Sequence, residues 1–348
     1  MRAVLVTIAL ALSTSAVAQQ IVFVHVRVFD GTQMLGRQTV VVENGIIKSV
    51  GAKPKQLDKS ATLIDCRGKT LLPGLIDSYG DPKGAQAAAV FGVTTFAGGP
   101  DWVHIIYDDG FSWGLRRPGA SSYEALNDEI DGAHKKHKKV LVEVGSLRES
   151  TEAVNSAADG LIRIYGGVQT DPGLPKLMLK KKVFLIPVLT MLEDAGGKST
   201  GDAVAEDPKL GPWLTPEDRV RLKQHVPGKP RMEGSFVMLR LMHKAHVPLL
   251  AGDGYGNPGT AAGASLHYEL ELLVRDLGMH PVEALAAATS LPAKEFGLDD
   301  RGAIAQGKRA DLVLVSGNPG RKIRATRNIE GVWIRGVAVE RKMPAPAH

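Results

Sequence analysis

Both ends of this 348-residue chain are β-rich, while the stretch between them alternates short apolar runs with helical patterns. That order predicts an α/β core carrying a small β domain assembled from the two termini. At the front, Ile21–Val28 and Thr39–Val42 are rich in β-branched residues, and Glu43-Asn44-Gly45 is a hairpin turn signal before Ile46–Val50. At the back, Ala310–Val315 and Gly331–Val339 repeat the style. Seven strands are predicted between them: Leu75–Tyr79, Val93–Ala97, Val103–Tyr107, Val140–Val144, Leu161–Tyr165, Val183–Leu189 and Val247–Gly252. Helical patterns cover Tyr123–His137, Leu147–Ala158, Gly234–His246, Leu266–Leu277 and Pro281–Thr289. Residues 194–233, rich in Gly, Lys, Asp and Pro, read as a surface excursion with a short helix starting near Thr215-Pro216-Glu217.

Met1–Gln20 has the layout of an export signal: an early cation at Arg2, an apolar run Ala3–Leu12, and Ala16-Val17-Ala18 as a cleavage site. The run is short for a bilayer span, which favours cleavage after Ala18 over an anchor. The expected mature protein is exported, periplasmic or secreted, with no membrane span. Composition narrows the chemistry. A single cysteine, Cys66, excludes a disulfide framework and a Cys-rich metal site, whereas ten histidines leave an imidazole site open. The net charge of +6 is spread along the chain, so no nucleic-acid partner is expected. Lys135–Lys139 and Lys180–Lys182 end helices, where cations suit the dipole.

Leu72-Pro73-Gly74-Leu75-Ile76-Asp77 resembles the metal-dependent amidohydrolase superfamily, and most of all its imidazolonepropionase- and prolidase-like secreted branch. Gly92-Val93-Thr94-Thr95, Asp101–Gly110, Gly263–Leu270, Pro281–Thr289 and Gly302–Val315 resemble further segments of that family. The resemblance implies a TIM-like (β/α) barrel over 73–301 and a composite β-sandwich over 19–72 and 302–343. Between Thr95 and Asp101, however, the family normally has a helix, a strand and another helix. The few residues here fall short of the ~10–12 that a crossover needs. An incomplete barrel of about seven strands is therefore expected.

Catalysis in that family rests on metal ions at the C-terminal ends of the barrel strands, which activate water and polarise the scissile carbonyl. Position by position, this chain departs from the ligand set. The His-x-His pair falls on Tyr79-Gly80-Asp81, the strand-4 Lys on His104, the strand-5 His on Glu143 and the strand-6 His on Arg163. The strand-8 Asp falls on Gly254, with Asp253 one position early.

Three readings of Tyr79, Asp81, His104, Glu143, Arg163 and Asp253 follow. One is an internal ion-pair network, with Arg163 as cation for Asp81, Glu143 or Asp253. Another is a metal-free acid/base site with Glu143 or Asp81 as base, His104 as proton shuttle and Arg163 as anion anchor. The last is a weak single divalent ion on Asp81, His104, Glu143 and Asp253. No tightly bound cofactor is expected. His267 and Tyr107 are candidate substrate-binding residues, His267 at the pocket mouth and Tyr107 in the loop after the fourth strand with Trp113. The expected partner is a small-molecule ligand or substrate.

Overall fold

The computed structural model describes residues 20–52, 54, 56–110, 121–225 and 230–344. Most of the predicted export signal, with its cleavage site, and Trp113 lie outside the described residues. Among those described, no helix is long and apolar enough to cross a membrane.

The strands are β1 (Ile21–Phe29), β2 (Met34–Glu43), β3 (Ile46–Gly51), β4 (Thr62–Asp65), β5 (Lys69–Pro73), β6 (Leu75–Asp77), β7 (Val93–Phe96), β8 (Trp102–Ile106), β9 (Lys139–Glu143), β10 (Gly160–Ile162), β11 (Phe184–Ile186), β12 (Leu312–Ser316), β13 (Ile329–Ile334) and β14 (Val337–Ala338). Strands from the two termini join one eight-stranded sheet of order β14-β13-β12-β5-β1-β2-β3, with β4 paired to β1. The seam is the antiparallel pair β12–β5, from Leu312 opposite Pro73 to Ser316 opposite Lys69. Phe23, Val26, Val40, Val42, Leu71, Leu312 and Leu314 form the apolar face that closes this domain. Each such side chain removed from water stabilises by roughly 1.5–3 kcal/mol.

In the barrel region β8, β9, β10 and β11 form one parallel sheet, and β6 and β7 form another. The predicted strand Val247–Gly252 is not a regular strand. It bridges the two sheets instead: Leu250 N donates to Leu185 O at 2.9 Å, and Ser78 N donates to Ala251 O at 3.0 Å. Seven segments thus follow one another in space, and the ring is open between β7 and β8. That gap is where the sequence is too short to carry another unit. β8 is an edge, with Ile106 51% exposed.

The helices are α1 (Ala85–Ala89), α2 (Tyr123–His134), α3 (Leu147–Asn155), α4 (Leu174–Lys181), α5 (Leu189–Ala195), α6 (Thr200–Ala205), α7 (Pro216–Leu222), α8 (Glu233–Lys244), α9 (Ala264–Leu277), α10 (Pro281–Ala287) and α11 (Ser290–Glu295). Local chemistry sets their ends. Ser122 and Ser146 accept from Ala125 N and Glu149 N to start α2 and α3, and Thr215 with Asp218 forms a reciprocal cap on α7. Two predicted strands stop early because Arg163 (φ 64°) and Val188 (φ 51°) take left-handed conformations. Such a conformation costs a side-chain-bearing residue roughly 1–2 kcal/mol. Both residues follow the C-terminal end of a barrel strand, so the backbone leaves the sheet where site residues belong.

Candidate functional site

The barrel region brings four of the predicted positions together: Tyr79, His104, Glu143 and Arg163. Glu143 ends β9, Arg163 follows β10, and Tyr79 follows β6, all on the same face of the ring. Glu143 is 5% exposed and Arg163 2% exposed, so their charges interact with little screening from water. The Arg163 guanidinium ion-pairs with Glu143 and hydrogen-bonds Asp108 Oδ2 at 2.8 Å. The Tyr79 hydroxyl donates to Glu143 Oε2 at 2.9 Å. His104 Nε2 lies 3.3 Å from the same oxygen, and its ring meets the Tyr79 ring edge-on at 5.9 Å. Burial alone would raise the Glu143 carboxyl, but the His104 contact, the Arg163 charge and the Tyr79 hydrogen bond outweigh it and lower it to about 2. Glu143 is therefore ionised at every physiological pH. The Tyr79 phenol is pushed up, by burial first and by the Glu143 charge second, so it remains a donor.

The other predicted residues go elsewhere. Asp81 caps a short turn, accepting from Lys83 N at 2.9 Å, because an aspartate one residue before Pro82 suits a helix start. It does not join Arg163. Tyr107 is buried, and its hydroxyl donates to Glu152 Oε2 on α3 at 2.7 Å. His267 corrects the pocket-mouth expectation. It is 1% exposed and hydrogen-bonds Phe91 O at 2.8 Å, because α9 turns this residue inward onto the barrel wall. Burial lowers its imidazole to about 4, so it is neutral.

Asp253 pairs with an acid rather than with a cation. It lies fully buried beside Asp77, the residue that ends β6. Asp77 Oδ1 accepts from Tyr79 N and Asp253 N, both at 3.0 Å. Asp253 Oδ1 accepts from Tyr255 N and Oδ2 from Gly263 N, both at 2.7 Å. The fourth oxygen, Asp77 Oδ2, has no donor and is buried. Burial raises both carboxyls, and the Asp77 charge and contact raise Asp253 further, so the pair favours sharing a proton. The one oxygen of the pair that no N–H reaches is Asp77 Oδ2, which leaves it able to share that proton with Asp253.

Gly80 permits this packing. A Cβ on it would overlap Asp77 Oδ2 and approach the Phe96 ring at 2.7 Å. Gly80→Ala is expected to lower stability by ~1–3 kcal/mol, read as a fall in the denaturation midpoint. An unchanged midpoint would mean that the loop shifts freely.

Asp108 and Asp77 were missed as site residues. In sequence, Asp108-Asp109-Gly110 carries a turn signal. Asp108 does form that turn, accepting from Gly110 N at 2.7 Å, but its second oxygen faces Arg163. Asp77 ends Leu72–Asp77, the segment that carries the family resemblance. The available signal was that two neighbouring apolar segments each end in an aspartate.

Arg163 brings a fixed cation onto Glu143 and Asp108, where a metal would need free carboxylate oxygens. Among the described residues, no three His, Cys, Asp or Glu side chains converge closely enough to hold a metal ion. A cavity of about 790 Å³ lies beside this cluster's loops and is lined by residues that include Lys83, Trp213, Glu217, Tyr255, Glu340 and Lys342.

Comparison with known proteins agrees with the geometry of the fold. An imidazolonepropionase of Deinococcus deserti is 38% identical over 86 residues, which is 24% of this chain and 22% of that protein. The match thus spans about a fifth of that curated relative. A putative prolidase from Bifidobacterium longum superposes with a TM-score of 0.72 at 20% identity, covering 94% of this chain and 96% of that one. Ochratoxinase of A. niger superposes with a TM-score of 0.69 at 16% identity, covering 93% and 96%. The amidohydrolase family model matches residues 116–339, well over half the chain. With this match and the open parallel barrel in hand, the chain belongs to the amidohydrolase family, related to hydrolases of C–N bonds.

Proposed function

We propose that this is an exported amidohydrolase-fold protein whose metal centre has been replaced by an ion-pair network, and that it binds a small molecule without metal-dependent hydrolysis. The observation that carries the reading is Arg163 held between Glu143 and Asp108. A guanidinium in that position repels a divalent ion and occupies the oxygens that would bind it. The relatives named as an imidazolonepropionase and a prolidase suggest cyclic amides and proline-containing dipeptides as the first compounds to test. The 790 Å³ cavity is of the size that takes a small molecule.

A second reading has a specific observation in its favour. His104 keeps 40% of its side chain exposed while contacting the ionised Glu143. That pairing supports metal-independent acid/base chemistry, with His104 exchanging protons with a ligand and Glu143 and Tyr79 holding it in place.

One experiment separates these readings. Purified protein is assayed for metal content and for turnover of the two compound classes, with and without chelator. Less than one metal per chain and no turnover, with saturable ligand binding, is the expected outcome. Turnover that survives chelator and falls at least ~100-fold in His104→Ala would establish the acid/base reading instead. Two tightly bound metals per chain, with activity lost in chelator, would sink both.

A further inference from the structure

We propose a second binding site, for a dianionic oxyanion such as a phosphate group, in the cleft where the last β-strands meet the 207–213 segment. The cleft encloses about 600 Å³ and is lined by Lys209, Trp213, Ser316, Arg327, Glu330 and Arg341. It shares none of its residues with the Glu143 cluster and does not depend on the function proposed above.

The charges around it do not balance. Arg327 is neutralised by Asp207, at 2.6 Å from its NH1, and by Glu271, which also meets Arg324 at 3.3 Å. Glu330 is held by Lys69 at 3.2 Å and by the Ser316 hydroxyl at 2.6 Å. These groups cancel among themselves. Arg341 is different: it donates to two main-chain carbonyls, Val90 O at 2.8 Å and Ile329 O at 2.7 Å. Its guanidinium stacks over the Trp213 ring at 4.0 Å. Those contacts fix the fork in place without supplying a negative charge.

Glu330 acts on Arg341 only at a distance, and Lys209 has no ion pair among the described residues, so Lys209, Arg327 and Arg341 outnumber the single carboxylate that lines the cleft. The wall is also short of acceptors. Nε of Arg327, a residue 4% exposed, is buried without one. A rigid, half-buried guanidinium and a mobile ammonium facing one cleft suit an anion of charge −2. The volume leaves room for a substituent, so free phosphate and a phosphomonoester share the same chemistry here.

Calorimetric titration with inorganic phosphate, and separately with methyl phosphate, tests the site at constant ionic strength. Acetate serves as the singly charged control. Wild-type protein is expected to bind one phosphate per chain, and acetate at least ~10-fold more weakly. Arg341→Gln should weaken phosphate binding ~10-fold or more, and Lys209→Gln about 3-fold. Equal affinity for methyl phosphate would assign the site to phosphomonoesters, and exclusion of it would assign the site to the free ion. Lys209 is exposed, so Lys209→Gln tests the site even if Arg341→Gln fails to fold. The proposal is overturned if wild-type protein shows no saturable phosphate binding, or if both variants bind phosphate as the wild type does.

Discussion

Arg163→Met is expected to destabilise the protein by ~3–5 kcal/mol at neutral pH, measured as a shift in urea denaturation. The cause is specific. The substitution leaves Glu143 and Asp108 as buried negative charges without the guanidinium that now meets both. The loss of stem packing is small, because Met fills a similar volume. A domain of this kind is stable by only about 5–15 kcal/mol, so the variant is expected near the edge of folding. The triple variant Arg163→Met, Glu143→Gln, Asp108→Asn removes the stranded charges and should recover ~2 kcal/mol or more relative to the single variant. A triple variant no more stable than the single one would show that the cost lies in packing, not charge.

The pH dependence carries the same signature. The Glu143 carboxyl is lowered from 4.5 to about 2 in the folded protein, against the effect of its own burial, by His104, Arg163 and Tyr79. Its contribution to stability is therefore full above about pH 4.5 and is lost as pH falls towards about 2. The Arg163→Met penalty should accordingly shrink in acid, where Glu143 protonates in the variant. A penalty that stays constant down to pH 3 would contradict the ionic account.

The fold and part of this cluster were legible in the sequence for a physical reason. The resemblance placed Glu143 and Arg163 at the C-terminal ends of two adjacent parallel strands, and residues at such ends converge on one face of the barrel, where these two meet. The missing barrel unit could be read against the family resemblance, because the five residues between Thr95 and Asp101 cannot make a crossover. What could not be read was pairing across the ring. Asp108 sits in a strong local turn signal, which hid its second role. Asp253 was assigned to Arg163 on charge alone, yet the irregular segment 247–252 delivers it to Asp77. Its main chain bonds to β11 on one side and to the loop after β6 on the other. No local pattern in Leu249–Gly254 encodes that registration, which depends on contacts far apart in sequence. His267 failed for a related reason: which face of α9 turns inward is settled by packing against Phe91, not by its distance from a motif.

Asp77→Asn is expected to be tolerated and to remove a pH-dependent loss of stability that the wild-type protein shows. The folded pair Asp77–Asp253 keeps a proton that both carboxyls lose in the unfolded chain above about pH 4. Over that range the folded state binds one proton more, so its stability falls as pH rises, by about 1.4 kcal/mol per pH unit for as long as the proton is retained. Asparagine can place an NH₂ at the position of Asp77 Oδ2, and its carbonyl oxygen can still accept from Tyr79 N and Asp253 N. The amide then donates to Asp253, which can ionise fully against the N–H groups of Tyr255 and Gly263. Glu269, raised by burial to about 8, also makes the folded protein less stable as pH rises from about 4.5 to about 8. Burial is the main cause of that rise and is common to both proteins, whereas the smaller part due to Asp77 is removed in the variant and flattens its slope further. Urea denaturation from pH 5 upward should give a shallower slope for Asp77→Asn, with the variant matching or exceeding the wild type at the alkaline end. Parallel curves would mean that the pair holds no proton. Asp77→Ala separates geometry from charge: it strips the partner from Asp253 and opens a void against Gly80, so it should be destabilised at every pH.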